Sequence, residues 1–291
     1  MSTKVICWNI AAREKPWWQL AEMDADVGLL QEAKGFPSDL VGRIESGCRE
    51  HWDSHVWNSD WYEGRFEKLY DRWPMVVKLS DRIRIEWFKQ VSPISETRAD
   101  EIAVSGIGTI AAARVIPDRG EPFIVVSMYA RWIGPHPVAN SSWSTGFPDG
   151  SAHRIISDLS AFIGSTDPAT HRILAAGDLN TIYGATDDNP LALPARDRTI
   201  WDRMNALGLE FLGPQFPDGR RAHPTPQGLP PDTKNVPTFH TNRQKPATAQ
   251  NQLDYAFASR GFHEQIRVRA LNSADDWGDS DHCRLVIYIP E

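Results

Sequence analysis

Short apolar runs alternate with amphipathic stretches along the whole chain, and most of the runs end on a polar residue. Residues 5–8 read as a strand and residues 17–25 have the apolar spacing of a helix. Residues 27–30 form a buried strand that ends at Gln31 and Glu32. Residues 38–48 suit an amphipathic helix with Ser38 as N-cap and Leu40, Val41 and Ile44 on one face. Residues 75–79 and 83–88 read as a hairpin; residues 108–115 and 123–129 read as another, turning at 118–120. A helix over 151–163 turns Ile155, Ile156, Leu159 and Phe162 inward. A strand over 172–176 runs into Gly177 and Asp178, and a helix over 199–207 stops at Gly208. Late strands are expected at 255–258 and 285–289. Two stretches, 132–150 and 213–252, lack periodicity and read as long loops around a cleft. Hairpins mixed with βα units predict an α/β sandwich of mixed sheets, not a purely parallel doubly wound fold. No linker-like composition or short repeat divides the chain, so residues 1–291 are expected to form one domain.

Composition narrows the class. The chain has 291 residues, 41% hydrophobic and 24% charged, as ordinary globular proteins do. The three cysteines, Cys7, Cys48 and Cys283, are too scattered for a disulfide framework or a thiolate zinc site. No apolar run is long enough to span a bilayer and no signal segment is evident, so no membrane association and a cytoplasmic location are expected. The net charge of −7 argues against coating by nucleic acid through bulk electrostatics. A local basic surface and a bound cation remain open to an acidic enzyme.

Five fragments carry chemistry: Trp8-Asn9, Leu30-Gln31-Glu32, Gly177-Asp178-Leu179-Asn180, Leu253-Asp254-Tyr255 and Ser280-Asp281-His282. Each places a polar group at the edge of an apolar run, where a buried sheet delivers side chains to a common mouth. Such a set suits metal-assisted attack of water on a phosphate ester. Glu32 is a hard oxygen donor of the kind magnesium takes; its plain alternative is a strand-end salt bridge. Asp178 can accept a proton from water and Asn180 can orient that water, although Gly-Asp-x-Asn alone is often a turn. Asp281 adds a carboxylate. His282 beside Asp254 would be fixed in one orientation, whereas a lone histidine before a strand is more often structural.

Together and in this order the fragments resemble the endonuclease/exonuclease/phosphatase superfamily, the DNase I-like and exonuclease III-like enzymes. The resemblance spans residues 8–282. It implies a four-layer α/β sandwich, two mixed β-sheets flanked by helices, with the site at one end of the sheet pair. It also implies Asn9 as the family's amide, Glu32 as metal-binding glutamate, and Asp178 with Asn180 as the water-activating and orienting pair. Asp254 and His282 correspond to its Asp-His pair, and Asp281 to a second carboxylate near the metal, Mg2+ or Mn2+. The central motif departs from the family. Ser127-Met-Tyr129-Ala-Arg131-Trp132 has a tyrosine in its expected place, but Trp132 stands where exonuclease III-like members carry asparagine. Arg131 is an added cation that could clamp a phosphate or pair with a surface acid.

Between residues 219 and 250 lie Arg220, Arg221, Lys234, Arg243 and Lys245 against one acid, Asp232. With Phe239 inside it, this segment could follow a nucleic-acid backbone and stack on a base. The alternative is a solvated loop that Phe239 anchors to the core. The tryptophans at 17–18, 52–61 and 143 could be stacking surfaces, but most tryptophans are core or groove-wall residues. The Trp-x-Asp-Arg signature of the inositol-phosphate branch is missing around Asp254, and no leucine-rich repeat occurs. The leading expectation is a magnesium-dependent nuclease acting on DNA or RNA, endonuclease or exonuclease, with no obligate protein partner. A small-molecule phosphodiesterase or phosphomonoesterase is second. An inactive binding module is third, and the acid cluster disfavours it.

Overall fold

Apolar runs without alternation become strands buried on both faces. In β1 (Ser2–Asn9), Val5 and Cys7 point one way while Ile6 and Trp8 point the other, and all four are fully buried. β1 is followed by helix α1 (Lys15–Ala21) and by β2 (Val27–Ala33), which pairs with it in parallel. The computed structural model describes residues 2–34, 36–52, 73–92, 96–105, 109–131, 148–164, 171–189, 192 and 194–290. The remaining strands are β3 (Trp73–Lys78), β4 (Ile83–Trp87), β5 (Lys89–Val91), β6 (Glu101–Ala103), β7 (Ile110–Pro117), β8 (Phe123–Tyr129) and β9 (Ile173–Asp178). β10 (Leu209–Gly213), β11 (Asp254–Ser259), β12 (Arg267–Leu271) and β13 (Arg284–Pro290) follow, with helices α2 (Pro148–Ile163) and α3 (Pro194–Ala206) on either side of β9.

Five strands form one sheet in the order β12-β13-β1-β2-β3, and six form the other in the order β10-β11-β9-β8-β7-β4. Each sheet holds one parallel pair, β1 with β2 and β8 with β9; the other pairings within the two sheets are antiparallel. The layers follow from three apolar clusters. Val5, Cys7, Leu29 and Val76 of the first sheet meet Val125, Leu174, Ala176 and Ala256 of the second. The outer face of the first sheet packs Ile6, Trp8 and Leu30 on Trp17 and Leu20 of α1. The outer face of the second packs Val126, Ala175 and Phe257 on Ile155 and Leu159 of α2 and Ile200 and Met204 of α3. This is the four-layer sandwich of two mixed sheets between helices. Among the described residues no helix is long and apolar enough to cross a membrane.

Three local expectations change. Residues 75–79 and 83–88 are strands but not a hairpin: β3 pairs with β2 and β4 pairs with β7, so the turn between them steps from one sheet to the other. The patterns differ for that reason. β3 is buried on both faces, whereas edge strand β4 alternates buried and exposed. The helix expected over 38–48 shrinks to one 3-10 turn, Ser38–Leu40. Gly42 and Gly47 take φ of 89° and 73°, Glu45 bridges to Lys78, and Val41 is left 71% exposed. A side chain at Gly47 would also collide with the Trp87 ring at 2.7 Å. α3 begins at Pro194, five residues before the helix expected from residue 199, and Gly208 ends it at a φ of 75°. The long loop from 132, with Trp132 and Trp143, lies outside the described residues, as do most of residues 52–61 and the start of the second expected hairpin.

Candidate active site

The two βαβ units bring the site together. Parallel strands carry their carboxyl ends to one end of the sandwich, the usual location of sites in α/β proteins. Asn9 ends β1, Tyr129 ends β8 and Asp178 ends β9, with Glu32 near the end of β2. Asp254 begins β11 and His282 precedes β13; both strands run antiparallel to their neighbours β9 and β1. Their amino ends therefore meet the same mouth.

Asp178 is 1% exposed and sits at the centre. Its Oδ2 accepts hydrogen bonds from Asn9 Nδ2 at 2.9 Å and Asn180 Nδ2 at 3.1 Å, and its Oδ1 accepts from the Asn180 amide at 2.9 Å. Burial pushes the carboxyl above the usual carboxylate range, and Asp254 and Glu32 push it further; His282 and the Asn180 amide pull the other way. Asp254 Oδ2 lies 2.8 Å from His282 Nδ1, and His282 Nε2 lies 3.9 Å from Asp178 Oδ2. Burial works against charge on His282, but the Asp254 and Asp178 carboxylates prevail and hold its pKa well above that of a free imidazole. The charged ring is kept in one pose. Trp8 Nε1 donates to the His282 carbonyl at 2.9 Å, and the Phe239 ring packs 4.9 Å from the imidazole.

Glu32 is half-buried. Its Oε1 accepts from the Tyr129 hydroxyl at 2.9 Å and from Asn9 Nδ2 at 3.3 Å. Glu32 and Asn180 adopt left-handed backbone, φ 49° and 50°, a conformation that costs a non-glycine residue about 1–2 kcal/mol. Strain of this kind persists where the surrounding structure fixes a side chain for a task. Gly177 has a different reason: a Cβ there would lie 1.8 Å from the Met128 carbonyl of the neighbouring strand.

Asp178, Asp254 and His282 each offer one ligand atom within 4.8 Å of the others, close enough to share a metal ion. The bond between Asp254 Oδ2 and His282 Nδ1 engages two of those groups with each other. Glu32 adds a further hard oxygen donor at the same mouth. Asp281 is at the same end through its neighbour His282, with its carboxylate turned to Ser280 Oγ at 3.3 Å and Arg13 at 3.9 Å.

The remaining candidates divide. Arg131 is buried, its guanidinium 5.5 Å over the Trp73 ring and 5.6 Å over that of Tyr129, at the rim of the site. Phe239 is half-buried against His282 and so forms a wall of the site. Arg220 braces its own loop, donating to the carbonyls of Pro246, Asn272 and Arg221. Arg221 lies over the Phe216 ring at 4.5 Å, and Arg243 and Lys245 are exposed.

Several supporting residues had no assigned role in the sequence. Gln31 Nε2 donates to Ser127 Oγ at 2.9 Å, and Ser127 Oγ donates to the Leu30 carbonyl at 2.7 Å, which ties the two sheets together beneath Glu32. Thr238 Oγ1 accepts from the amides of Leu253 and Asp254, and Ser280 Oγ donates to the Asn9 carbonyl at 2.7 Å. The Tyr255 hydroxyl donates toward the carbonyls of Thr181 and Gln252 and accepts from the Tyr183 amide, fixing the chain beyond Asn180. The only signal for these groups was their place next to a candidate residue.

No family model and no curated protein matches the chain. Solved structures do. The endonuclease domain of TRAS1, a telomere-specific non-LTR retrotransposon, aligns at 17% identity over 100% of this chain and 99% of its own, with a TM-score of 0.58. The APE2 catalytic domain from Xenopus laevis aligns at 16% identity over 99% and 94%, TM-score 0.59. The 3' phosphatase NExo from Neisseria, bound to product DNA hairpin, aligns at 14% over 99% and 100%, TM-score 0.53. The fold is that of the endonuclease/exonuclease/phosphatase, or DNase I-like, group.

Proposed function

We propose that this protein is a metal-dependent phosphodiester hydrolase whose substrate is nucleic acid. The observation that carries the reading is the buried Asp178, held by Asn9 and Asn180 and set 3.9 Å from an imidazole that Asp254 fixes. The Asp178 carboxylate takes the proton of the attacking water; its raised pKa makes it a stronger base than an exposed carboxylate. Asn180 and Asn9 hold that carboxylate in position. His282 offers its Nε2–H to a phosphate oxygen, and the Asp254 carboxylate stabilises the charge it keeps. Tyr129 and Asn9 orient Glu32, which with Asp281 would hold Mg2+ or Mn2+; the donor set is oxygen, as those ions require. A bound ion supplies positive charge against the phosphate and the leaving oxygen.

A nucleic-acid substrate draws support from the basic segment at 219–250 and from neighbours of the same fold named as endonucleases. A phosphomonoesterase is the second reading, favoured by the Neisseria structure that carries a phosphatase name on this fold. Residues 1–291 act in this reading as one enzyme domain of the cytoplasm, in line with three free, scattered cysteines. Labelled DNA, labelled RNA and simple phosphate mono- and diesters, each with magnesium, with manganese and with excess chelator, form the test. Metal-dependent cleavage of a polynucleotide is the expected result. Turnover of monoesters alone would favour the second reading, and no turnover of any substrate would favour an inactive binding module.

A further inference from the structure

Between β10 and β11 the chain runs forty residues with one turn of 3-10 helix, Pro246–Thr248, and lines an open cavity of about 260 Å³. Arg221, His223, Thr225, Thr233, Asn235 and Gln250 supply its polar wall; Pro226, Leu229 and Pro231 supply an apolar one. Neither the Asp178 cluster nor Glu32 lines it. Two connections place it beside the reacting centre. Asn235 Nδ2 donates to the Tyr183 carbonyl at 2.6 Å, three residues beyond Asn180. Gln250 adjoins Asn251, whose carbonyl accepts the Phe239 amide, and Phe239 packs on His282. Three to four extended residues reach about 10–14 Å, so lining residues of the cavity lie within about 15 Å of Asn180 on one side and Asp254 on the other.

The wall is braced before any ligand arrives. Thr186 donates to the Gly228 carbonyl, and Asn189 Nδ2 donates to the Gln227 carbonyl at 3.0 Å. Gly228, at φ 72°, packs so closely that a Cβ would meet the Asn189 backbone at 2.3 Å. The chemistry of the wall is selective. Among the described residues no acid lines the cavity, in a chain with 38 of them. Asn and Gln amides match the donor–acceptor edges of bases, proline and leucine surfaces cover an apolar ring face, and an arginine at the rim takes phosphate.

We infer that this cavity is a nucleotide subsite: it takes one unpaired base and its adjoining phosphate from the substrate strand, a few nucleotides from the cleaved bond. The inference rests on the nuclease reading. The test compares wild type, the His223→Ala/Gln250→Ala double variant and the cavity-filling Ala222→Phe variant. Their kcat/KM is measured on a single-stranded oligonucleotide and on bis(p-nitrophenyl) phosphate, a diester with no base to place. Oligonucleotide cleavage should fall ~10–100-fold in both variants, the discrimination that one well-held base supplies, while the small diester should change less than about twofold. An abasic unit walked along the strand should impair wild type at one position and leave the variants no worse there. Equal losses on both substrates, unchanged oligonucleotide cleavage, or no sensitive position would each overturn the subsite. Failure of the nuclease reading is separate, because it shows in wild type as absent oligonucleotide cleavage.

Discussion

Asp254 and His282 share the shortest charged contact of the centre, 2.8 Å, and both are buried. Removing either leaves the other as an unpaired buried charge or an unheld ring, so their effects should not add. Asp254→Ala and His282→Ala are each expected to lower kcat/KM by about two or more orders of magnitude, with the double variant little worse than the poorer single one. A double-mutant cycle measures this, and additive losses would show two independent roles. At this scale the sequence was informative about acids and amides that end apolar runs: Asn9, Glu32, Asp178, Asp254 and His282 stand together in the structure. It was silent on Gln31, Ser127, Thr238 and Ser280. Their roles depend on partners as far away as 271 residues, for Ser280 and Asn9, and a hydroxyl or amide carries no local mark of such a bond. Arg220 shows the opposite case. Its charge suggested a phosphate contact, but its guanidinium is engaged by carbonyls of the fold.

Elements were legible where periodicity alone decides them. Strand runs such as 5–8, 27–30 and 285–289 and the helix over 151–163 correspond to β1, β2, β13 and α2. Pairing was less legible, because which sheet a strand joins depends on the whole sandwich; β3 and β4 are the example. His51 links those two strands' surroundings. Its Nε2 accepts the Val76 amide of β3 at 3.1 Å, its Nδ1 lies 3.4 Å from the Phe88 carbonyl, and its own carbonyl accepts Gln90 of β5. Both ring nitrogens are satisfied only in the neutral form, and burial lowers its pKa from 6.5 to about 4. Above about pH 7 the ring is neutral in both folded and unfolded chains. Between 6.5 and 4 the unfolded chain takes up a proton that the folded one refuses, so stability falls as pH falls through that window. At about pH 5 the loss from this group is about 2 kcal/mol. Denaturant unfolding of wild type and His51→Gln at about pH 7.5 and about pH 5 isolates it: wild type should lose about 2 kcal/mol more than the variant. An equal loss in both would mean that His51 is not the acid-sensitive link.

At the scale of the molecule, the four layers explain why residues from 9 to 282 can form one site. Two parallel βαβ pairs and the antiparallel strands beside them all present the correct end to the same mouth. The fold class was legible because mixed hairpin and βα patterns exclude a single parallel sheet. The cavity in the 213–252 loop was not, since an aperiodic segment rich in proline and threonine does not reveal what it lines. Charge is organised at this scale as well. The chain totals −7, but residues 219–250 carry five cations against one acid. If this segment follows a nucleic-acid backbone, neutralising Arg221, Arg243 and Lys245 should weaken oligonucleotide binding. The slope of log K against log salt should shrink by roughly 0.7–0.9 for each phosphate that is no longer neutralised. An unchanged slope would remove the segment from the binding surface.

In the proposed reaction Asp178 is the base of a metal-dependent phosphodiester cleavage. Asp178→Asn keeps the size of the side chain and its bond from the Asn180 amide, and it removes the proton acceptor. Turnover of a labelled oligonucleotide by wild type and by this variant, in magnesium and in excess chelator, with folding checked by circular dichroism, is the most direct measurement. A folded variant slowed by ~10²–10⁴-fold is expected, with wild type silenced by chelator and restored by magnesium. A folded Asp178→Asn protein with near-normal turnover, or a wild type fully active in chelator, would contradict the proposed reaction.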